Sequence, residues 1–216
     1  LPLGVATAIF IAEIIPDGAR EILKPIVEVL AGIPSVVIGF MGMIVIAPFF
    51  RTLLNIPTGL TAFTGMVLLA WMALPTVVSV VEDVLDTVPK TYRDAGLALG
   101  MTRWQTIARI VLPAGKNGIL TALMLGIGRA IGETMTVMMV TGNAPRIPKG
   151  LGDIFMPART MTATIAAEMG EVAQGSAHYH VLFAVGLALF VITFIVNLAA
   201  AAVVFQSTER SERMLS

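Results

Sequence analysis

The sequence predicts an all-α integral membrane protein with about five spanning helices, from its composition and from the gaps between its charges. Of 216 residues, 56% are hydrophobic and only 13% are charged. A soluble domain carries about 25% charged residues, because its surface must be hydrated. A bilayer core needs about 20 mostly apolar residues of helix, so a charge-free stretch of that length can hold a span. Such stretches are residues 29–50, 52–81 and 172–208.

The same composition excludes several other classes of protein. Fourteen basic and fourteen acidic residues give a net charge of zero, which argues against a nucleic-acid binder driven by bulk positive charge. Zero cysteines exclude disulfides, thiolate metal sites and a cysteine nucleophile. The sequence has no Walker lysine motif, nucleophile elbow or dinucleotide fingerprint. We therefore expect neither a cofactor nor an ATP-hydrolysing site in this chain.

The spans follow from the charge gaps and from turn residues. The first apolar run is short and carries Glu13 near its end, so we interpret it as a clipped span. Because the sequence opens at Leu1 without a methionine, we expect a fragment or processed product that lacks an earlier helix. Gly32-Ile33-Pro34-Ser35 predicts a kink, and Asn55-Ile56-Pro57-Thr58-Gly59 predicts a turn. The predicted spans are roughly 3–16, 27–50, 60–82, 117–142 and 178–206.

The placement of Lys and Arg predicts the orientation of these spans. Nine cations fall in 17–26, 83–116 and the tail after 206, and four fall on the other side. The positive-inside rule places the larger set in the cytoplasm. The first set is Arg20, Lys24, Lys90, Arg93, Arg103, Arg109, Lys116, Arg210 and Arg213, and the second is Arg51, Arg146, Lys149 and Arg159.

The predicted cytoplasmic loop 83–116 has the signals of a helix–turn–helix elbow. Pro89 suits the first turn of a helix that Gly100 would end in a left-handed conformation. Thr102-Arg103-Trp104-Gln105 has the form of a capping box, so a second helix is expected to start there and to be broken by Pro113. On the first helix, Tyr92, Ala95 and Leu99 share a face, and the small residues Ala95 and Gly96 would allow a partner to approach closely.

The spacing of this elbow resembles the EAA motif of ABC importer permeases. That motif is Glu-Ala-Ala, three residues, Gly, nine residues and Ile-x-Leu-Pro, and here Asp replaces Glu and Gly replaces the second Ala. The residues that carry the resemblance are Asp94, Ala95, Gly96, Gly100, Ile110, Leu112 and Pro113. The resemblance implies a MetI-like permease fold, and it implies that the elbow couples to a separate ATP-binding subunit. A cytoplasmic hairpin without a partner is the alternative.

Two charges stand inside the predicted fourth span. Ionisable groups at bilayer depth are costly and usually face a polar interior in pairs. In a continuous helix, Arg129 and Glu133 are four residues apart and share a face. They are therefore either a structural ion pair or part of a translocation pathway, in which the flat guanidinium of Arg129 would suit an oxyanion.

The run from Arg129 to Met135, followed by Val140-Thr141-Gly142, resembles the PstC-type permeases of phosphate importers. Residues 1–4, 8–10, 31–39 and the 162–175 loop agree with the same family, so the likeness covers nearly the whole chain. It implies a single transmembrane permease domain over residues 1–216, with Arg129, Glu133 and Thr134 along the phosphate pathway. It also implies a multi-pass location in the cytoplasmic (inner) membrane.

The resemblance further implies a set of partners. These are an ATP-binding subunit dimer, a homologous second permease subunit and an extracytoplasmic phosphate-binding protein. The ATP-binding subunit would hydrolyse ATP, so this chain is expected to be a non-catalytic subunit.

Other readings of the sequence stay open. An ABC permease for molybdate, sulfate or another solute shares the fold, while a secondary transporter or channel would need no ATPase and an intramembrane enzyme would need a nucleophile or metal pair. His178-Tyr179-His180 with Glu168 and Glu171 is a weak zinc candidate, because no His-Glu-x-x-His register is present. An interfacial belt explains the two histidines better, so no metal site is expected.

Overall fold

In the computed structural model, residues 1–147 and 149–212 are described, and most of them are helical. Arg213, which was counted among the cytoplasmic cations, lies outside this part of the chain. The helices of the first half are α1 (Pro2–Ile9), α2 (Asp17–Ala31), α3 (Ser35–Met41), α4 (Ala47–Leu53) and α5 (Ala62–Thr87). Those of the second half are α6 (Lys90–Ala98), α7 (Arg103–Thr106), α8 (Leu112–Ala114), α9 (Lys116–Gly132), α10 (Met135–Val140), α11 (Met161–Glu168) and α12 (Ala177–Glu212).

Two π-helical segments join neighbouring α-helices and end two residues before a proline. Gly42–Ile46 links α3 to α4 and precedes Pro48, and Ile107–Val111 links α7 to α8 and precedes Pro113. Proline has no N–H and its ring crowds the carbonyl four residues earlier, so a widened turn lets the helix continue through it. The predicted break before the fourth span is present but lies at Gly115 rather than at Pro113, since the helix runs on to Ala114 and then meets Lys116–Gly132 at an angle of 73°.

Three helices in the described part of the chain are long and apolar enough to cross a membrane: Ser35–Leu53, Ala62–Thr87 and Ala177–Ala199. A fourth is obtained if Arg103–Ala114 and Lys116–Gly132, which meet at an angle of 73°, count as one span. The apolar helix Pro2–Ile14 is shorter than a bilayer span. The described residues thus hold three to four spans rather than about five.

The boundaries of the predicted spans shift for identifiable reasons. The kink at Gly32–Pro34 is a full break between α2 and α3, so residues 27–31 belong to α2. The predicted fourth span, 117–142, is interrupted after Gly132, which leaves α9 with 17 residues. The third span extends beyond residue 82 to Thr87, and each carboxylate near its end is paired with a cation of α2.

The chain divides into two compact units, and the first contains residues 1–32, 73–128 and the chain from Asn197 onward. Its core is apolar and is centred on α5 and the first apolar helix. The buried residues are Ala8, Ile11, Val77, Val78, Val81, Leu85, Val88, Val111 and Ala122. Burial of such side chains away from lipid and water leaves this unit with a continuous packed interior.

Cations of α2 pair with carboxylates near the C-terminal end of α5 in this first unit. Arg20 pairs with Glu82 and Asp86, and Lys24 pairs with Glu82 at 3.0 Å and with Asp83 at 2.7 Å. The Glu82 side chain is only 2% exposed, so its charge is compensated by cations from α2. The side-chain hydrogen bond to Asp86 is the main cause that raises the pKa of Arg20. These contacts stabilise the charged forms of Arg20 and Lys24 and hold α2 against α5.

The second unit contains residues 33–72 and 129–196. Its buried residues include several threonines, and Thr64 Oγ1 donates to the Gly59 carbonyl at 2.6 Å. Here a buried hydroxyl satisfies a backbone carbonyl of the segment ahead of α5. Apart from glycines, the buried residues of this unit are Ala47, Leu68, Met72, Val137, Val140, Ala163, Leu182, Thr61, Thr64, Thr136 and Thr141.

Candidate functional site

The predicted elbow lies in the first unit and has the expected turn chemistry. Gly100 has φ +78°, and the N–H of Met101 donates to the Gly96 carbonyl at 3.1 Å across the end of α6. Only glycine adopts this left-handed conformation without strain, so the predicted cap is confirmed. The capping box is confirmed as well: Gln105 N donates to Thr102 Oγ1, and Thr102 N donates to Gln105 Oε1 at 2.9 Å.

Gly96 has an internal role in the elbow. A Cβ placed on Gly96 would lie 2.8 Å from Thr106 Oγ1 and 2.9 Å from Ile110 Cδ1. Real Cβ atoms do not come this close, so glycine is what lets α6 pack against the helix that starts at Arg103. Of the two small residues expected to meet a partner, only Ala95 is exposed.

The residues of the EAA-like motif thus divide into an inward and an outward group. Gly96 is buried, and Ile110 and Leu112 are half-buried. Four residues are exposed and available to a second protein: Asp94, Ala95, Gly100 and Pro113. The structure places these residues on one elbow, and a role in contacting an ATP-binding subunit stays a prediction.

The elbow also has large apolar side chains that are exposed. Leu99 is 80% exposed, Trp104 is 61% exposed and Tyr92 is 51% exposed. Trp104 was not singled out from the sequence, although an aromatic residue within a charged loop is itself a signal of a contact surface. The elbow therefore presents an apolar surface beside the carboxylate of Asp94.

The second candidate site is the helix break at Glu133–Thr134 in the second unit. α9 ends at Gly132, and α10 begins at Met135. The Glu133 Oε1 atom accepts from the backbone N–H groups of Thr134 and Thr136, both at 3.1 Å. The first N–H groups of a helix lack intrahelical partners, and this carboxylate satisfies two of them. The expectation of one continuous helix through Arg129 and Glu133 is therefore wrong.

Threonine hydroxyls satisfy carbonyls at this break. Thr162 Oγ1 donates to the Glu133 carbonyl at 3.0 Å, and Thr134 Oγ1 donates to that of Gly132 at 3.2 Å. Thr136 Oγ1 donates at 2.9 Å to the carbonyl of Ser35, the first residue of α3. Two helix starts, those of α3 and α10, are thus joined by one hydroxyl. A spanning helix interrupted in this way leaves polar backbone groups that line cavities in transporters.

The predicted pathway residues lie at this break in sequence and in structure. Arg129 is half-buried in the last turn of α9, and Glu133 and Thr134 form the interruption itself. Thr136 and Thr162 were not predicted as part of the site. Their signal in the sequence is weak, because a threonine becomes informative only once the backbone group it faces is known.

In the structure, two residues of the zinc candidate, His178 and Glu168, form a polar cluster with Arg159. His178 Nε2 lies 2.8 Å from Glu168 Oε2, and Arg159 pairs with the other oxygen of Glu168. The hydrogen bond with His178, followed by that from Arg159, lowers the pKa of the Glu168 carboxyl. Among the residues that the structure describes, no group of three or more His, Cys, Asp or Glu side chains is placed to hold a metal ion.

Comparison with protein families identifies the class. The profile of the family described as "binding-protein-dependent transport system inner membrane component" matches residues 3–206. The chain therefore belongs to this family of multi-pass inner-membrane permease components.

Individual relatives are similar over most of the chain. It is 41% identical to the probable ABC transporter permease protein YqgH of Bacillus subtilis, over 90% of this chain and 62% of that protein. It is 39% identical to the phosphate transport system permease protein PstC of Mesorhizobium japonicum, over 91% of this chain and 64% of that protein. The chain thus spans somewhat less than two thirds of the length of these relatives.

Solved structures give the same fold at low sequence identity. A chain of the MetNI methionine ABC transporter in an inward-facing conformation superposes with a TM-score of 0.72 at 17% identity, over 95% of this chain and 86% of that one. A chain of a bacterial ABC transporter involved in alginate import gives a TM-score of 0.67 at 18% identity, over 95% and 72%. The fold is therefore the all-α, MetI-like ABC permease fold.

Proposed function

We propose that this chain is the membrane permease subunit of an ATP-driven importer that moves inorganic phosphate across the cytoplasmic membrane. The observation that carries the proposal is the 39% identity to a PstC phosphate permease over 91% of the chain. The run from Arg129 to Met135 and the spacing of the elbow residues support it. The chain itself would be non-catalytic, with ATP hydrolysis supplied by a separate subunit.

The proposed partners follow from this assignment. An ATP-binding subunit dimer would contact the exposed group of the elbow, which includes Asp94, Ala95 and Gly100. A homologous second permease subunit would complete the pathway, and an extracytoplasmic phosphate-binding protein would deliver the substrate. Closure of the ATP-binding subunits would displace the elbow and switch the pathway from outward to inward access.

In the pathway, Arg129 would act as a transient partner for the phosphate anion. A guanidinium offers a planar fork of N–H donors that matches two oxygens of a phosphate group. The Glu133 carboxylate holds the start of α10, and Thr134 adds a hydroxyl beside it. Because transport requires release, Arg129 would bind the anion weakly.

The substrate is tested with labelled anions in the reconstituted complex. We expect uptake of phosphate, with sulfate and molybdate neither transported nor able to stimulate ATP hydrolysis. Stimulation of ATPase activity by sulfate in the absence of phosphate would contradict the phosphate assignment and would favour a permease for another oxyanion.

The role of Arg129 is tested with an Arg129→Gln variant. We expect phosphate uptake to be abolished while the complex still assembles, because the variant keeps hydrogen-bonding capacity but loses the charge. Arg51→Gln is the matched control, since Arg51 is an exposed cation on the predicted extracytoplasmic side. Loss of assembly in Arg129→Gln would favour a structural ion pair instead.

The elbow is tested by capture of a purified ATP-binding subunit. A charge reversal with a bulky residue at the cap, Asp94→Arg with Gly100→Trp, is expected to abolish binding. Capture that survives both changes would refute the docking role of these residues. Failure of the unmodified chain to capture the subunit would instead favour a secondary transporter or channel, which needs no ATPase.

A further inference from the structure

Arg93 on α6 binds Glu13 of the first apolar helix. Its Nε donates to Glu13 Oε2 at 3.1 Å, and its Nη2 donates to Glu13 Oε1 at 2.5 Å. This is a two-pronged contact between a guanidinium and a carboxylate, the strongest form of charged hydrogen bond among side chains. The two residues are 80 positions apart, so the contact is tertiary and fixes α6 to a separate helix.

The same guanidinium also holds the end of α5. Arg93 Nη1 donates to the Val88 carbonyl at 2.7 Å, and Nη2 donates to the Leu85 carbonyl at 2.9 Å. The last carbonyls of a helix have no intrahelical donor, and a basic side chain can satisfy them. One side chain on α6 therefore contacts two helices of the first unit.

Burial makes this link hard to replace. The Glu13 side chain is 6% exposed and the Arg93 side chain is 23% exposed. A buried carboxylate left without its cation is strongly unfavourable, so Glu13 and Arg93 must move together. The hydrogen bond to Glu13 is the main cause that raises the pKa of Arg93, which keeps the guanidinium charged.

Arg93 is also next to the exposed part of the elbow. Asp94 and Ala95 follow it directly on α6, and both are exposed while Arg93 faces Glu13. α6 thus has an outer surface for a partner and an inner anchor on the first helix and on α5. The Arg93 side chain therefore connects α6 with the first apolar helix and with α5.

We propose that the Arg93–Glu13 pair transmits displacement of the elbow to the first apolar helix and to α5, and so couples ATP hydrolysis to transport. Arg93 and Glu13 are positioning residues in this proposal, because neither contacts substrate. The inference rests on the proposed function, in which α6 receives its displacement from an ATP-binding subunit.

The test measures ATP hydrolysis and phosphate uptake together in the reconstituted full transporter. For Arg93→Gln and Glu13→Gln we expect assembly with the ATP-binding subunit to persist, while uptake per ATP hydrolysed falls about tenfold, the size of a lost coupling contact. Exchange of the two charges, Arg93→Glu with Glu13→Arg, is expected to restore part of the coupling. Lys116→Gln removes an exposed cation from the same predicted side and is the matched control.

Several outcomes would overturn the inference. Uptake and hydrolysis that fall in proportion would show that the pair does not carry the coupling, and unchanged uptake would show that it is dispensable. If the single variants do not assemble, Arg93→Lys keeps a positive charge and removes the fork, and full coupling in that variant would overturn the proposal.

Failure of the proposed function gives a different result. In that case, the unmodified chain itself fails to bind the ATP-binding subunit or to take up phosphate. An uncoupled variant beside an active unmodified transporter therefore supports the inference separately from the assignment of the substrate.

Discussion

The buried carboxylates of the first unit and the helix breaks of the second unit are stabilised by different kinds of polar contact. In the first unit, the buried carboxylates Glu13 and Glu82 receive cations from other helices. In the second unit, the breaks beside α3 and α10 are satisfied by threonine hydroxyls and by one carboxylate on backbone N–H groups. A buried ion pair needs both of its members, because loss of either one leaves a buried charge without a partner.

Hydroxyl contacts are weaker and are replaced more easily. A neutral hydrogen bond contributes about 0.5–1.5 kcal/mol, and a lost partner can be exchanged for water where water reaches the site. A site built from threonines and backbone groups can therefore rearrange at lower cost than one built from ion pairs. Under the proposed function, the first unit would transmit displacement of the elbow and the second would hold a transient anion.

The largest effect is expected from removing both cations that contact Glu82. The double variant Arg20→Met with Lys24→Met leaves a carboxylate that is 2% exposed without compensation, and the free energy of unfolding should fall by about 3–5 kcal/mol. The measurement is an unfolding curve of the purified chain in detergent.

A triple variant separates charge from packing in this prediction. Adding Glu82→Leu to the double variant replaces the buried network by apolar groups, which is often neutral for stability. We expect it to recover most of the loss. A triple variant as unstable as the double one would show that the cations act through packing of their stems, and the contrast between the units would disappear.

A smaller effect is expected in the second unit from Thr162→Val. The change removes the hydroxyl that donates to the Glu133 carbonyl and keeps the shape of the side chain, so the free energy of unfolding should fall by about 1 kcal/mol. The same unfolding curves measure it.

Thr164→Val is the matched control for this variant. Its hydroxyl donates to the Thr160 carbonyl, which also accepts from the Thr164 N–H and so keeps a partner. The control should unfold like the unmodified chain. Equal losses in the two variants would show that the threonines of α11 act through helix propensity and that the break needs no hydroxyl.

The smallest effect expected is a pH dependence of stability that arises from Glu168. The hydrogen bond with His178 and the ion pair with Arg159 lower its pKa from the ordinary value of 4.5, so the folded state favours the carboxylate. Its contribution to stability is present above about pH 4.5 and is lost as the pH falls through the lower folded-state value. The difference in unfolding midpoint between the unmodified chain and Glu168→Gln should therefore shrink between pH 6 and pH 3, about the range of carboxyl titration.

For the cations of the first unit, the expected dependence of stability on pH has the opposite sign. The hydrogen bond with Asp83 is the main cause that raises the pKa of Lys24 above its ordinary 10.5, so its contribution is fully present below pH 10.5 and is lost only at higher pH. Lys24→Met should thus show a constant loss of stability between about pH 7 and about pH 10. A loss that varied across that range would contradict the assignment of the charged state of Lys24.

Much of the fold could be predicted from the sequence, because apolar runs and turn residues act locally. The charge-free stretches located the spanning helices, and the turn chemistry of Gly100 and Thr102 located the elbow. The ends of helices were less predictable. Asp83 and Asp86 look like loop residues in sequence, but cations from a distant helix allow α5 to continue past them.

The candidate sites were predicted in position but not in contacts. Arg129 and Glu133 were singled out because charges in an apolar run are costly. The break between them was missed, since a carboxylate that accepts backbone N–H groups leaves no periodic pattern in the sequence. The pairing of Glu13 with Arg93 was missed because it depends on how separate helices pack.

The contact between Gly96 and Ile110 also explains why the spacing of the EAA-like motif must be kept. Successive helical residues are turned by about 100°, so removing one residue between Gly100 and Ile110 would rotate Ile110 by about that angle away from Gly96. Inserting one would rotate it equally in the other direction. We therefore expect this stretch to accept substitutions at its exposed positions while rejecting any change in length, and a gap placed there in an alignment of related permeases would mark a different packing of the elbow.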